Sequence, residues 1–168
     1  NRTMSQNDKL SQQDYVNKCT AAAEKGNIVA QNTLGYLRLH GQGITQDYKE
    51  AAFWFRKAAE KGYNVAQYNL AIMYKLGQGI EQNHTEALKW LQLAANQGHA
   101  GAQSNLGNMY YQGLAVMQDY VMAYMWWLLA RQNGAKDTEH NEAEIIKKMN
   151  DSQIKHAEQA AHEWITKH

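Results

Sequence analysis

Histidines, a cysteine, tryptophans and clustered carboxylates are the residues through which this chain could do chemistry. Of the seven histidines, His156, His162 and His168 recur every six residues, which puts successive members on opposite sides of a helix. No His-x-x-x-His or Cys-x-x-Cys pair occurs, so the usual zinc spacings are missing and no metal site or cofactor is expected. Cys19 is the single thiol, and one cysteine with a distant histidine is a known nucleophilic arrangement. Glu139, Glu142 and Glu144 are followed by Lys147 and Lys148, and opposite charges at helical spacing read as a solvated face, not an acid/base pair. There is no Gly-rich phosphate loop, nucleophile elbow or triad signature. No catalytic residue is expected.

The elements that would position these residues repeat. Ala30-Gln31-Asn32-Thr33-Leu34-Gly35, Ala66-Gln67-Tyr68-Asn69-Leu70-Ala71 and Ala102-Gln103-Ser104-Asn105-Leu106-Gly107 align at an offset of 36 residues (66 − 30 = 102 − 66). The same offset links Gly26, Gly62, Gly98 and Gly134; Trp54, Trp90 and Trp126; and Gly41, Gly77 and Gly113. Each unit reads as two helices. The first, near 28–40, 64–76 and 100–112, places Ala30, Leu34 and Leu37 and their equivalents on one face. Gly41-Gln42-Gly43 and Gly77-Gln78-Gly79 stop it; the third unit has Ala115 at the second glycine, so its turn is expected to differ.

The second helix, near 47–61, 83–97 and 119–133, carries inner stripes of Ala51, Trp54, Phe55, Ala58; Ala87, Trp90, Leu91, Ala94; and Ala123, Trp126, Trp127, Ala130. Alanine lets helices approach and the indole fills the gap beside it, so three of the five tryptophans read as core. Cys19 lies one period before Phe55, an inward position where a thiol is inert packing. The expected organisation is a frayed or disordered 1–10, a capping helix over 11–26, repeats over 27–62, 63–98 and 99–134, and capping helices over 135–168. The last two helices fall near 137–149 and 153–166, with Asp151 or Ser152 as N-cap and a stripe of Ile154, Ala157, Ala161, Trp164 and Ile165 covering the open end.

Composition agrees with an ordinary globular domain. Hydrophobic residues make up 44% and charged residues 20%, and the mean hydropathy of -0.70 reflects abundant Gln and Asn. No stretch approaches the ~20 apolar residues that span a bilayer. The formal net charge is +1, with basic and acidic residues interspersed, which argues against nucleic acid or an acidic membrane as partner. Proline is absent, and one Cys excludes an intrachain disulfide framework. The start at Asn1, without Met or an apolar leader, is expected to reflect leader removal or trimming.

The pattern A-x-x-x-L-G, then G-x-G, then A-x-x-W-x-x-x-A-A-x-x-G, over roughly 12–134, resembles the Sel1-like repeat family, relatives of tetratricopeptide repeats. The family's loop usually carries a proline where Thr45, Glu81 and Met117 stand, a departure expected to loosen the loop. The resemblance implies an all-α fold, an α/α solenoid wound as a right-handed superhelix of helix pairs with terminal caps. It implies first helices lining a concave face, adaptor or scaffold roles, and a bacterial source, with a periplasmic or secreted setting ahead of a cytoplasmic one. Some disulfide-rich relatives have been discussed as weak β-lactamases; they carry paired cysteines in each repeat, which this chain lacks.

If the first helices line a concave face, helical geometry leaves particular side chains free of packing. These are Asn32, Tyr36, Leu39 and His40; Tyr68, Ile72, Lys75 and Leu76; and Ser104, Asn108, Tyr111 and Gln112. They do not repeat in kind, and a strip of Tyr and Asn with few charges suits a polypeptide. The expected function is non-enzymatic: an adaptor or scaffold holding a protein or peptide in the groove, or an inhibitor or immunity protein. The alternative is a binder of small ligands, or a weak hydrolase, acting on cell-wall or β-lactam-type substrates. Oligomeric state is not legible.

Overall fold

The computed structural model describes Thr3 to His168, and every regular element among these residues is an α-helix. In order they are α1 (Gln6–Glu24), α2 (Ile28–His40), α3 (Tyr48–Glu60), α4 (Asn64–Leu76), α5 (His84–Asn96), α6 (Ala100–Gln112), α7 (Tyr120–Gln132), α8 (Glu139–Ile146) and α9 (Asp151–Lys167). They fall into two units, Asn1–Asn83 with α1 to α4 and His84–His168 with α5 to α9. The first helices of the repeats, α2, α4 and α6, begin and end where the glycine series predicts. Each stops on a left-handed glycine: Gly41, Gly77 or Gly113.

The turns after these glycines keep one geometry. Ala115 has φ 61°, the conformation that Gly43 and Gly79 hold at 70° and 67°, so the third turn does not differ as expected. The backbone is imposed by its surroundings, and the alanine carries a left-handed strain of roughly 1–2 kcal/mol. Nor does the missing proline loosen the loops. The Nε2 groups of Gln46, Gln82 and Gln118 donate to the carbonyls of Leu39, Lys75 and Tyr111 at 2.8, 2.8 and 2.9 Å, holding each loop to the end of its first helix.

In the first unit α1 packs on α2, α2 on α3 and α3 on α4. Ala23, Leu34 and Trp54 form a buried cluster, with Ala30 and Ile44 against it. α2 and α3 approach closely at Gly35, where a β-carbon would come within 2.7 Å of Phe55 Cδ1. In the second unit α6 packs on α5 and α7, and α7 also meets α8 and α9. There a β-carbon at Gly107 would overlap Trp127 at Cδ1 and Nε1. The large ring and the missing side chain recur two periods apart, in the first and third repeats. Trp54, Trp90 and Trp126 are all buried, as the stripe predicts.

A polar contact recurs inside this packing. The buried side chains of Gln31, Gln67 and Gln103 donate from Nε2 to the carbonyls of Ala23, Ala59 and Ala95 at 3.1, 3.2 and 3.1 Å. Those carbonyls sit in the last turns of α1, α3 and α5, where intrahelical donors run out. In the first unit Gln31 Oε1 also accepts from Lys61 Nζ at 3.2 Å; in the second, Gln103 Oε1 accepts from Asn133 Nδ2 at 3.0 Å.

The ends depart from expectation. α1 starts at Gln6, because Ser5 Oγ accepts from the Asp8 amide and the Asp8 carboxylate accepts from the Ser5 amide, a reciprocal cap. Residues 6–10 are therefore helical and not frayed, and for Asn1 and Arg2 that expectation lies outside the described residues. Cys19 is half-buried rather than core: its equivalent Phe55 on α3 has both α2 and α4 packed beside it, whereas α1 packs chiefly on α2. α9 is capped by Asn150, not Asp151 or Ser152, in a reciprocal pair with Gln153. Ala157 and Ala161 are buried, and Trp164 meets Trp126 edge-on at 6.2 Å. Ile165 is exposed, because neighbouring helical residues point about 100° apart and Trp164 takes the contact.

Two alanine–glycine exchanges should therefore act in opposite directions. Gly107→Ala drives a methyl into the Trp127 ring and should cost about 1–3 kcal/mol. Ala115→Gly releases the left-handed strain and should gain about 0.5–1 kcal/mol after its chain-entropy cost. Urea unfolding midpoints of the two variants against the parent check both signs.

Candidate interaction surface

Which side chains remain outward follows from which are consumed inside. In the first unit Tyr36 is 45% exposed with its ring centroid 4.3 Å from that of His40, also exposed. Asn32 is half-buried and accepts from Asn69 Nδ2 at 3.1 Å, a bond joining α2 to α4. Leu39, Tyr68, Ile72 and Lys75 are half-buried, and Leu76 is 56% exposed. These residues leave an aromatic and amide-bearing strip along α2 and α4.

In the second unit α6 supplies Asn108 and Tyr111, both half-buried, and an exposed Gln112. Ser104 is buried and does not belong to the strip. Its carbonyl accepts from Trp127 Nε1 at 3.2 Å, and a short hydroxyl side chain disappears beside the packed indole, where Asn32 and Tyr68 protrude at the equivalent positions. Trp127 Nε1 also donates to Asn108 Oδ1 at 3.2 Å.

α6, α7 and α8 frame a cavity of about 390 Å³ lined by Asn108, Tyr111, Gln112, Trp127, His140, Asn141 and Glu144. At its lip the Lys148 ammonium donates to Tyr111 Oη at 2.7 Å and lies 5.0 and 5.9 Å from the Tyr111 and Tyr120 ring centroids. Those two rings stack at 5.5 Å. The Tyr111 contact holds Lys148 above the ordinary lysine range. Glu144 accepts from Lys147 Nζ at 2.8 Å, which keeps its carboxyl below the usual range. Of these, sequence reasoning reached only Asn108, Tyr111 and Gln112. Glu144 and Lys148 read as part of a solvated face from their spacing, and nothing in the sequence singles out His140 or Asn141. Tyr111 and Lys148 stand 37 residues apart, so no local spacing announces their contact.

α8 is held in place from its other side. Glu142 is buried, accepting from Thr138 Oγ1 at 3.2 Å and lying 3.4 Å from Arg131 Nη1 of α7. Burial pushes its carboxyl above the ordinary glutamate value, with Arg131 and the Thr138 hydroxyl offsetting part of the rise. A second cavity, of about 470 Å³, opens at the ends of α5, α7 and α9 among Asn96, Gln132, Asn133, Trp164 and His168. Among the described residues no group of three or more His, Cys, Asp or Glu could hold a metal ion, and no helix is long and apolar enough to cross a membrane.

Comparison with known proteins places this geometry. A family model described as the Sel1 repeat matches residues 28–63, 64–99 and 100–134. The chain is similar to the crystal structure of a protective antigen present in uropathogenic Escherichia coli strains, which displays an SLR fold. The TM-score is 0.68 at 41% identity, over 70% of this chain and 25% of that one. It is also similar to the crystal structure of a Sel1 repeat protein from Oxalobacter formigenes, with TM-score 0.68 and 35% identity, over 73% of this chain and 51% of that one. The chain thus spans about a quarter and about half the length of these two solved relatives. No curated protein matches it.

The buried Glu142 makes α8 sensitive to pH in a stated direction. A carboxyl whose folded value lies above its unfolded value favours folding at low pH, and that contribution is lost as pH rises from the unfolded value through the folded one. Glu142→Gln resembles the protonated side chain, so its stability relative to the parent should climb as pH rises above the ordinary value of 4.5 and then level off. Unfolding midpoints of both proteins at a series of pH values measure this; a constant difference across the series contradicts it.

Proposed function

Because this chain belongs to the Sel1 repeat family, whose repeats are generally protein-interaction modules, we propose that it is a non-enzymatic adaptor or scaffold holding another polypeptide along the outward side chains of its first helices. The observation that carries this reading is the outward face of the first helices in each unit. In the first unit Tyr36 with His40 and Asn32 on α2 and Tyr68 on α4, and in the second Tyr111 with Asn108 and Gln112 on α6, present aromatic area beside amide donors and acceptors. Tyrosine buries a large surface at low entropic cost and is enriched where binding energy concentrates, and amides satisfy a peptide backbone. The residues that could have served as nucleophile or ring platform are spent elsewhere: four of the five tryptophans are buried, and Cys19 lies half-buried on α1 away from the strip. An inhibitor or immunity role would be the same contact made with an enzyme or toxin as the held protein.

Tyr36→Ala combined with Lys75→Glu removes an exposed ring and reverses a charge on the first unit's strip. Capture of the natural partner by this double variant should fall by roughly tenfold or more, the loss typical of an aromatic hot spot. Quantified pull-down with parent and variant, at matched unfolding midpoints, reads the difference. Undiminished capture by the folded variant refutes the strip as the contact surface.

A further inference from the structure

The cavity between α6 and α8 has a hydrogen-bonding sense that its neighbours impose. An indole N–H only donates, so the Trp127 contact at 3.2 Å requires the oxygen of Asn108 to face the ring. The amide nitrogen of Asn108 is then turned outward, with two N–H groups and no protein acceptor among the described residues. An ammonium likewise only donates, so Tyr111 Oη is the acceptor at 2.7 Å from Lys148, and its own O–H is left to donate. Lys148 keeps two further N–H groups, and stacking against the Tyr111 and Tyr120 faces fixes the charge at the lip of the cavity.

Two of these donors belong to residues lining the cavity, Asn108 and Tyr111, and the cationic one is held beside it on the Tyr111 hydroxyl. The acidic group in the lining, Glu144, is engaged by Lys147. What complements such a site is an acceptor-only anion, and among the groups of a polypeptide only an ionised carboxylate qualifies. Resting on the reading that the strip holds a polypeptide, we propose that this cavity receives one carboxylate of the partner, bound by Asn108 Nδ2, the Tyr111 hydroxyl and the Lys148 ammonium. It would fix the register of the held chain, because a single charged anchor positions the residues on either side of it. The carboxylate comes either from the partner's C-terminus or from an acidic side chain, and the two differ in what they present on either side.

Titration of the full chain followed by NMR at the Trp127 indole N–H and the Asn108 side-chain amide tests this. The probes are acetyl-Ala-Ala-Ala-Ala with a free C-terminus, acetyl-Ala-Ala-Glu-Ala amide, acetyl-Ala-Ala-Gln-Ala amide, and inorganic phosphate. One or both carboxylate-bearing peptides should give saturable shifts, and which one does so identifies the source; the Gln amide should give none. Asn108→Asp keeps an oxygen toward the indole and turns the donor into an acceptor, and should weaken binding at least roughly tenfold. Lys148→Gln, on an exposed side chain outside the packing, should weaken it severalfold and carries the test where Asn108→Asp does not fold. Equal shifts with the Gln peptide, unchanged binding in the folded variants, or phosphate matching the carboxylates overturn the proposal. These probes read the second unit alone, so their failure leaves the first unit's strip standing, and failure at Tyr36 and Lys75 is seen separately.

Discussion

A buried glutamine tied to the end of the preceding helix is the contact on which the arrangement turns. The side chains of Gln31, Gln67 and Gln103 each reach back eight residues to a carbonyl in the last turn of the helix before. A buried amide without partners costs about 1–3 kcal/mol, so the two helices cannot slide or rotate without breaking a bond that water cannot replace. Hydrophobic contact alone is tolerant of rotation; this hydrogen bond is not. It sets the angle at which α2, α4 and α6 each leave the helix before them, and hence which of their faces is inward. The further donations from Lys61 to Gln31 and from Asn133 to Gln103 extend the constraint to a third helix.

Once that angle is set, residue size does the rest. Glycine at 35 and 107 accepts Phe55 and Trp127, and the ring at 127 in turn buries Ser104 and orients Asn108. The same indole therefore closes the core and determines the polarity of the cavity above it. One side chain thus joins the packing of the core to the hydrogen bonding in the cavity. The tryptophans of the repeat stripe go inward, whereas Tyr36, Tyr111 and Asn108 stay outside the core.

The repeat was legible because it is covariant at every level: glycine stops, alanine–tryptophan stripes and apolar faces all share one period, and the first-helix boundaries followed from them. Local caps were less legible. Asn150, Asp151 and Ser152 are all good N-caps in a row, and only the reciprocal bond to Gln153 selects the first. The Ser5–Asp8 cap is not legible, because the surrounding residues are polar and carry no apolar periodicity. The turn at Ala115 shows tertiary context overriding the preference of a single residue. Subtracting the packing positions leaves Tyr36, His40, Leu76 and Gln112 exposed, but Ser104, whose side chain is short, is buried beside Trp127. The cavity is not legible, since α8 lies outside the repeat and the Tyr111–Lys148 and Arg131–Glu142 contacts join different elements with no local spacing to announce them.

The proposed polypeptide contact lies on the first helices and not on the second helices, which carry exposed apolar residues of their own at Phe53 and Leu93. Site-specific photo-crosslinking addresses it directly, with a photoreactive phenylalanine placed in turn at Tyr36, Tyr111, Phe53 and Leu93 in the native host. Covalent adducts of one defined protein partner from Tyr36 and Tyr111, and none from Phe53 or Leu93, are the predicted result. The same adduct formed from Phe53 or Leu93, with Tyr36 and Tyr111 silent, would contradict the account.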